Sequence, residues 1–169
     1  GEFLESLNLD YFHRRAREAD ARLHPLASAE DRLFTESISD ADAVIVIDRP
    51  VSREHLEGAR RCQVILALEV GYEFIDVRAA SDCGIMVCHV PAYCTEEVAL
   101  HAFTLLLAAT RKLSELLHET GKGGWDYRAC VPLSLLRGKK LGIIGLGRIG
   151  RALVPMAKGV GLCVSAYDP

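Results

Sequence analysis

A glycine-patterned turn near the end of the chain constrains its fold more than any other feature. The segment Gly145-Leu-Gly147-Arg-Ile-Gly150 follows an apolar run at 140–144 and leads into a helical stretch at 148–158. In such a unit the first glycine permits a tight turn, the second lets a pyrophosphate approach the backbone, and the third lets the helix pack against the sheet. The pattern predicts a strand–turn–helix unit that binds a dinucleotide.

The residues after this turn indicate which dinucleotide is favoured. The amide groups of Arg148 and Ile149, at the start of the helix, are expected to point at the phosphates. A second apolar run at 162–167 ends in Asp168. A carboxylate there can accept hydrogen bonds from both adenosine ribose hydroxyls and would repel a 2′-phosphate, which favours NAD over NADP. The alternative is a glycine-rich turn that binds no ligand.

Apolar runs alternate with helical segments through the first half of the chain. Buried strands that alternate with helices predict a parallel α/β sheet. The predicted strands are a short one at 22–25 and longer ones at 43–47, 63–68 and 85–88, and the predicted helices are 3–20, 29–38, 52–59 and 76–84.

A long helix is predicted from Thr95 to about Glu119. Between Val98 and Ala109 it is apolar almost all round, so we expect its first half to be buried on every side. Such a helix can join two domains. The loop at 121–138 follows it, and its Trp125 is predicted to be a packing residue.

Composition narrows the function classes. The chain has 169 residues, half of them hydrophobic, and a net charge of −3, so nucleic acid and membrane are not indicated as partners. Neither a signal peptide nor an apolar run long enough to span a membrane is seen, which favours a cytoplasmic protein. The six cysteines form no CxxC pair and are predicted to be reduced thiols, with no metal site.

The sequence resembles the D-isomer-specific 2-hydroxyacid dehydrogenases. LRGKKLGIIGLGRIGRA followed by AYDP is similar to their nicotinamide-binding segment, and DADAVIV at 40–46 and VGYEFIDVRAASDCGIMVCHVPAYCTEEVALHA at 70–102 agree with the upstream pattern. These motifs are most similar to those of the branch with C-terminal-binding-protein-like and phosphoglycerate-dehydrogenase-like members. The resemblance implies a flavodoxin-like substrate domain at 1–94 without its first strand, a crossover helix at 95–120, and an incomplete Rossmann NAD domain at 121–169. It therefore implies a chain truncated at both ends.

The resemblance also implies an activity, the transfer of hydride between NAD and a small 2-hydroxy or 2-keto acid, in a homodimer. It assigns the backbone amides of Val70 and Gly71 to the nicotinamide and the substrate carboxylate, although the residues alone favour a turn that ends a strand. The family's catalytic Arg, Glu or Asp, and His come later in its sequence, so no catalytic residue is predicted in this chain. His89 and His101 are interpreted as structural.

Departures from the family pattern gather at the substrate end. Glu69 replaces a glycine and Phe74 an asparagine in the GVGxDNID pattern, and Ile47 stands where many members carry a substrate-binding arginine, with Arg49 offset by two. A carboxylate at position 69 would repel a bound carboxylate if it pointed inward. We therefore expect normal NAD binding with an altered or lost substrate site. The alternative is a non-catalytic, NAD-responsive interaction protein of the corepressor type. The 169-residue chain alone is predicted to be inactive.

Overall fold

A computed structural model describes residues 8–26 and 30–169 of the chain. The chain forms two compact units, the first reaching Pro91 and the second running from Ala92 to Pro169. The α/β class predicted from the sequence is confirmed, because both units contain parallel strands and helices. No helix in the described ranges is long and apolar enough to cross a membrane.

The first unit is a three-stranded parallel sheet with helices between its strands. The strands are β1 (Ala43–Val46), β2 (Val64–Ala67) and β3 (Met86–His89), and the helices are α1 (Leu9–Glu18), α2 (Asp31–Ser39), α3 (Arg53–Gly58) and α4 (Val77–Asp82). The strands lie in the order β1-β2-β3, with Ala67 aligned with Val46 on one side and with His89 on the other. The carboxyl ends of all three strands therefore lie at one edge of the sheet.

Side-chain caps set where the helices of this unit begin. The carboxylate of Asp76 accepts a hydrogen bond from the Ala79 amide at 2.8 Å and starts α4. Ser52 starts α3 through a reciprocal capping box, in which His55 Nδ1 accepts from the Ser52 amide at 3.0 Å. Both starts agree with the sequence prediction.

The core of the first unit lies on one face of the sheet. Side chains from α2, α3 and α4 pack there against alternate strand residues, including Val46, Ile65 and Ala67. On the other face Ile45 is 50% exposed and Met86 64% exposed. Among the described residues, the strands predicted to be buried are therefore buried on one face of the sheet only.

The second unit is a two-stranded parallel sheet against a helical layer. It contains α5 (Thr95–Thr110), α6 (Leu113–Gly121), a 3-10 turn (Tyr127–Cys130), β4 (Lys140–Ile144), α7 (Arg148–Gly159) and β5 (Cys163–Tyr167). β4 and β5 are in register from Lys140 opposite Cys163 to Ile144 opposite Tyr167. Helix α5 packs along α7, which crosses between the strands.

The long helix predicted from Thr95 to Glu119 is in fact two helices. The break comes at Lys112, whose φ of 51° is left-handed, so the α-helical hydrogen-bond ladder stops there. Of α5 only Ala99 is buried, and Leu105 is 57% exposed, so the expected burial on all sides is also wrong. Trp125 is 93% exposed and is not a packing residue among the described residues.

Two further expectations concern the start of the chain. Residues 22–25, predicted as a short strand, are irregular and join no ladder in the described structure. The predicted helices at 3–20 and 29–38 correspond to α1 and α2, and their positions 3–7 and 29 lie outside the described residues.

Candidate functional site

The turn between β4 and α7 needs glycine at two positions for reasons internal to the chain. Gly145 has a φ of +92°, and its amide donates to the Tyr167 carbonyl at 2.8 Å, which ties the ends of the two strands together. At Gly150 a Cβ would lie 2.2 Å from the Gly145 carbonyl oxygen, far inside van der Waals contact. These two glycines therefore fix the turn and the approach of α7 to it.

Gly147 differs, because nothing in the chain requires a glycine there. It is the N-cap of α7 with extended backbone (φ −69°, ψ −157°), and no atom lies within 4 Å of a Cβ built on it. The Arg151 guanidinium holds the turn from behind through a hydrogen bond from Nε to the Leu146 carbonyl at 2.8 Å. The open space beside Gly147 fits the predicted approach of a pyrophosphate.

The predicted cofactor residues of the second unit all lie at the same edge of its sheet. Arg148 and Ile149 form the first turn of α7, where the positive end of the helix dipole lies. Asp168 follows the end of β5 and is exposed. Because β4 and β5 are parallel, Gly145 and Asp168 both follow carboxyl strand ends at one edge of the sheet. This arrangement suits an anionic ligand with a hydroxylated sugar.

The Val70–Gly71 turn lies at the carboxyl edge of the first unit, directly after β2. His89 Nδ1 contacts the Val70 carbonyl at 2.7 Å, so this nitrogen carries the hydrogen and donates it. The ring of Tyr72 packs edge-on against the His89 ring at 4.9 Å between centroids. His89 thus has a structural partner, as expected, whereas His101 is exposed on α5 rather than buried.

Glu69 points to a neighbouring strand end. Its carboxylate accepts a hydrogen bond from the amide of Asp48, a residue that follows β1 and has a left-handed φ of 46°. The Glu69 carbonyl accepts from the Val90 amide at 2.9 Å. The Glu69 charge is therefore used to stabilise the turn after β1.

The other departures at the substrate end are also explained by packing. Phe74 packs against the apolar core of the first unit. Arg49 lies over the Phe34 ring, 4.2 Å from its centroid, and pairs with Asp31 at 3.2 Å. Its guanidinium is thus held against α2 and does not replace the arginine that many family members carry at position 47.

Sequence reasoning missed Glu73. Its Oε2 accepts from the Tyr72 amide at 2.9 Å and lies 2.7 Å from the position of a Cβ on Gly71. A signal was present, because Glu73 stands where the GVGxDNID pattern has its first aspartate. It is the longer of the two acids, and its length lets the carboxylate fold back over Gly71.

All six cysteines are free. Cys62 is buried and donates to the Val64 carbonyl at 3.3 Å, and burial raises the pKa of its thiol. Within the described ranges no group of three or more His, Cys, Asp or Glu side chains could hold a metal ion.

Comparison with known proteins identifies the family. The profile of the D-isomer specific 2-hydroxyacid dehydrogenase catalytic domain matches residues 4–154, and the chain belongs to this family. It is 35% identical over 147 residues to a glyoxylate reductase of Korarchaeum cryptofilum, covering 84% of this chain and 44% of the relative. It is 38% identical over 135 residues to a D-3-phosphoglycerate dehydrogenase of Methanocaldococcus jannaschii, covering 79% of this chain and 26% of that relative.

A solved structure agrees with the family assignment. The D-lactate dehydrogenase of Aquifex aeolicus, determined with NAD and lactic acid, superimposes with a TM-score of 0.86 at 26% identity, covering 96% of this chain and 50% of that one. The chain thus spans about half or less of the length of these relatives.

Proposed function

We propose that the native protein is an NAD-dependent oxidoreductase that transfers hydride between NAD and a small 2-hydroxy or 2-keto acid. The observation that carries this proposal is the glycine turn, in which the fold of the chain requires glycine at 145 and 150, whereas the space beside Gly147 is open. Family membership supports the same reaction class. Bound NAD supplies the hydride acceptor or donor.

In this proposal the second unit holds the cofactor. The Gly145–Gly150 turn and the amides of Arg148 and Ile149 hold the pyrophosphate, where the helix dipole favours negative charge. Asp168 accepts the ribose hydroxyls and disfavours a 2′-phosphate. NAD is therefore preferred to NADP.

The first unit supplies the substrate carboxylate site in this proposal. The amides of Val70 and Gly71 donate to the carboxylate, and Val70 also lies beside the nicotinamide. The hydrogen bond from His89 to the Val70 carbonyl at 2.7 Å fixes the peptide group that presents the Gly71 amide. His89 acts here as a positioning residue.

The native protein tests the proposal when it is assayed with NADH and glyoxylate, hydroxypyruvate or pyruvate. We expect oxidation of NADH with at least one of these acids and a weaker response with NADPH. NAD binding with no turnover of any 2-keto acid would instead support the corepressor-like alternative. Absence of NAD binding would contradict both.

Two finer statements belong to the same proposal. The 169-residue chain alone is inactive, since it spans about half or less of the length of its relatives. NADH oxidation above a matched blank by the isolated chain would contradict this.

The native protein is a homodimer in this proposal, and a monomeric mass by sedimentation would contradict that.

A further inference from the structure

The carboxylate of Glu73 fills the space that Gly71 leaves open. Oε2 of Glu73 lies 2.7 Å, and its Cδ 3.8 Å, from the position of a Cβ on Gly71. The same oxygen accepts the Tyr72 amide at 2.9 Å. A side-chain carboxylate of the chain thus sits against the backbone turn to which the proposed function assigns the substrate carboxylate.

The turn beneath Glu73 is held in place from several sides. The Val70 carbonyl accepts from His89, and the Tyr72 carbonyl accepts from the Ile75 amide at 3.0 Å. The Tyr72 ring also packs against the His89 ring. Because the backbone is fixed, a substrate carboxylate has to displace the Glu73 side chain or bind beside it.

The two acids of this loop act differently. The Glu69 carboxylate is held at the end of β1 by the Asp48 amide, away from the space over Gly71. Glu73 lies over Gly71 itself. Of the two charges, the one at Glu73 is closest to the place assigned to the substrate.

We propose that Glu73 is a specificity-determining residue that competes with small anionic 2-keto acids for the Val70–Gly71 turn. This inference rests on the proposed function for the role of the turn. Two unit negative charges about 4 Å apart repel even in water, by an amount that corresponds to about fivefold in affinity. Removing the Glu73 charge therefore tightens the binding of a carboxylate.

The test compares the native protein with Glu73→Gln, which keeps the length and an acceptor oxygen for the Tyr72 amide but removes the charge. Glu73→Ala is a second variant that removes the acceptor as well. Glu54→Gln is the matched control, because it removes an exposed carboxylate from α3 of the same unit. The probe is oxamate, an unreactive analogue of a 2-keto acid, followed by amide NMR signals with and without NADH.

We expect Glu73→Gln and Glu73→Ala to bind oxamate about fivefold more tightly than the native protein, with shifts at Gly71 and Tyr72. The control should match the native protein. The KM for a 2-keto acid should fall by the same factor, whereas the KM for NADH should not change. Equal or weaker oxamate binding by both Glu73 variants would overturn the inference.

The outcomes separate this inference from the proposed function. Turnover with identical KM and oxamate affinity in every variant would overturn the role of Glu73 and leave the proposed function standing. Tighter oxamate binding by the Glu73 variants, with no turnover by any form, would support Glu73 and contradict the proposed function.

Discussion

Among single residues, the three glycines of the β4–α7 turn differ in why a glycine is present at each position. Gly145 needs its left-handed φ, and Gly150 needs close contact with the Gly145 carbonyl. Gly147 has neither need, because its φ and ψ are extended and its surroundings are open. Substitutions in one short turn can therefore separate folding from ligand binding.

Gly150→Ala should destabilise the second unit. The added methyl would lie 2.2 Å from the Gly145 carbonyl oxygen, so the backbone must shift, at a cost of about 3 kcal/mol. Gly142→Ala is the control, since nothing lies within 4 Å of a Cβ there, and it should change stability by less than ~1 kcal/mol. Urea unfolding measures both, and equal effects would contradict the packing role of Gly150.

Among the described residues of the first unit, His55 is the buried polar residue, 6% exposed. Its Nδ1 accepts the Ser52 amide at 3.0 Å, and its Nε2 lies 3.1 Å from the Asp31 carboxylate. His55→Leu would leave that amide without its acceptor, and we expect a loss of about 1–3 kcal/mol in the free energy of unfolding. His101→Leu, on the exposed surface of α5, should lie within ~0.5 kcal/mol of the native protein. If His55→Leu left the free energy of unfolding unchanged, the capping box would contribute little to stability.

At the scale of elements, the break between α5 and α6 is the clearest departure from what the sequence indicates. The predicted helix contains neither glycine nor proline between Thr95 and Glu119, and its apolar pattern continues through the break. The left-handed Lys112 closes α5 through ordinary backbone bonds, such as that from its amide to the Ala109 carbonyl at 3.1 Å. Tertiary packing, which one sequence does not reveal, decides such a break.

Lys112→Gly tests the break. A left-handed lysine costs about 1 kcal/mol that a glycine avoids, so this substitution should stabilise the protein slightly or leave it unchanged. Arg111→Gly, at the adjacent position with a φ of −95°, should destabilise by about 1 kcal/mol. Lys112→Ala is a control, because it loses the contact of Lys112 Nζ with the Val131 carbonyl at 3.4 Å without adding a glycine. Equal destabilisation by both glycine variants in thermal unfolding would favour one continuous helix.

The parts that could be predicted are those where a local signal and the fold agree. β4 was predicted with its observed bounds because the apolar run is followed at once by Gly145. The start of α4 was predicted from the Asp76 cap. At the substrate end the sequence drew attention to Glu69 because it replaces a glycine, whereas the carboxylate over Gly71 is that of Glu73. Side-chain direction in a loop depends on which amides are near, and the sequence pattern does not contain that information.

At the scale of the whole molecule, the chain consists of two units built on the same plan. Each has parallel strands whose carboxyl ends gather at one edge, and in open α/β sheets ligands bind at that edge. The first unit presents the Val70–Gly71 turn there, and the second presents the glycine turn and Asp168. The proposed function assigns a substrate carboxylate to the first of these edges and the cofactor to the second.

The assignment of the β4–α7 turn to the cofactor is tested by comparing the affinity of the native protein for NADH with that of Gly147→Val. Gly147 has a negative φ, and no protein atom lies within 4 Å of a Cβ there, so a side chain fits and circular dichroism should show an unchanged fold. A branched side chain there would hold the pyrophosphate away from the α7 amides. We expect the dissociation constant to rise at least tenfold, a loss of about 1.4 kcal/mol or more. Equal affinity for NADH in the two proteins would contradict the assignment of this turn to the cofactor.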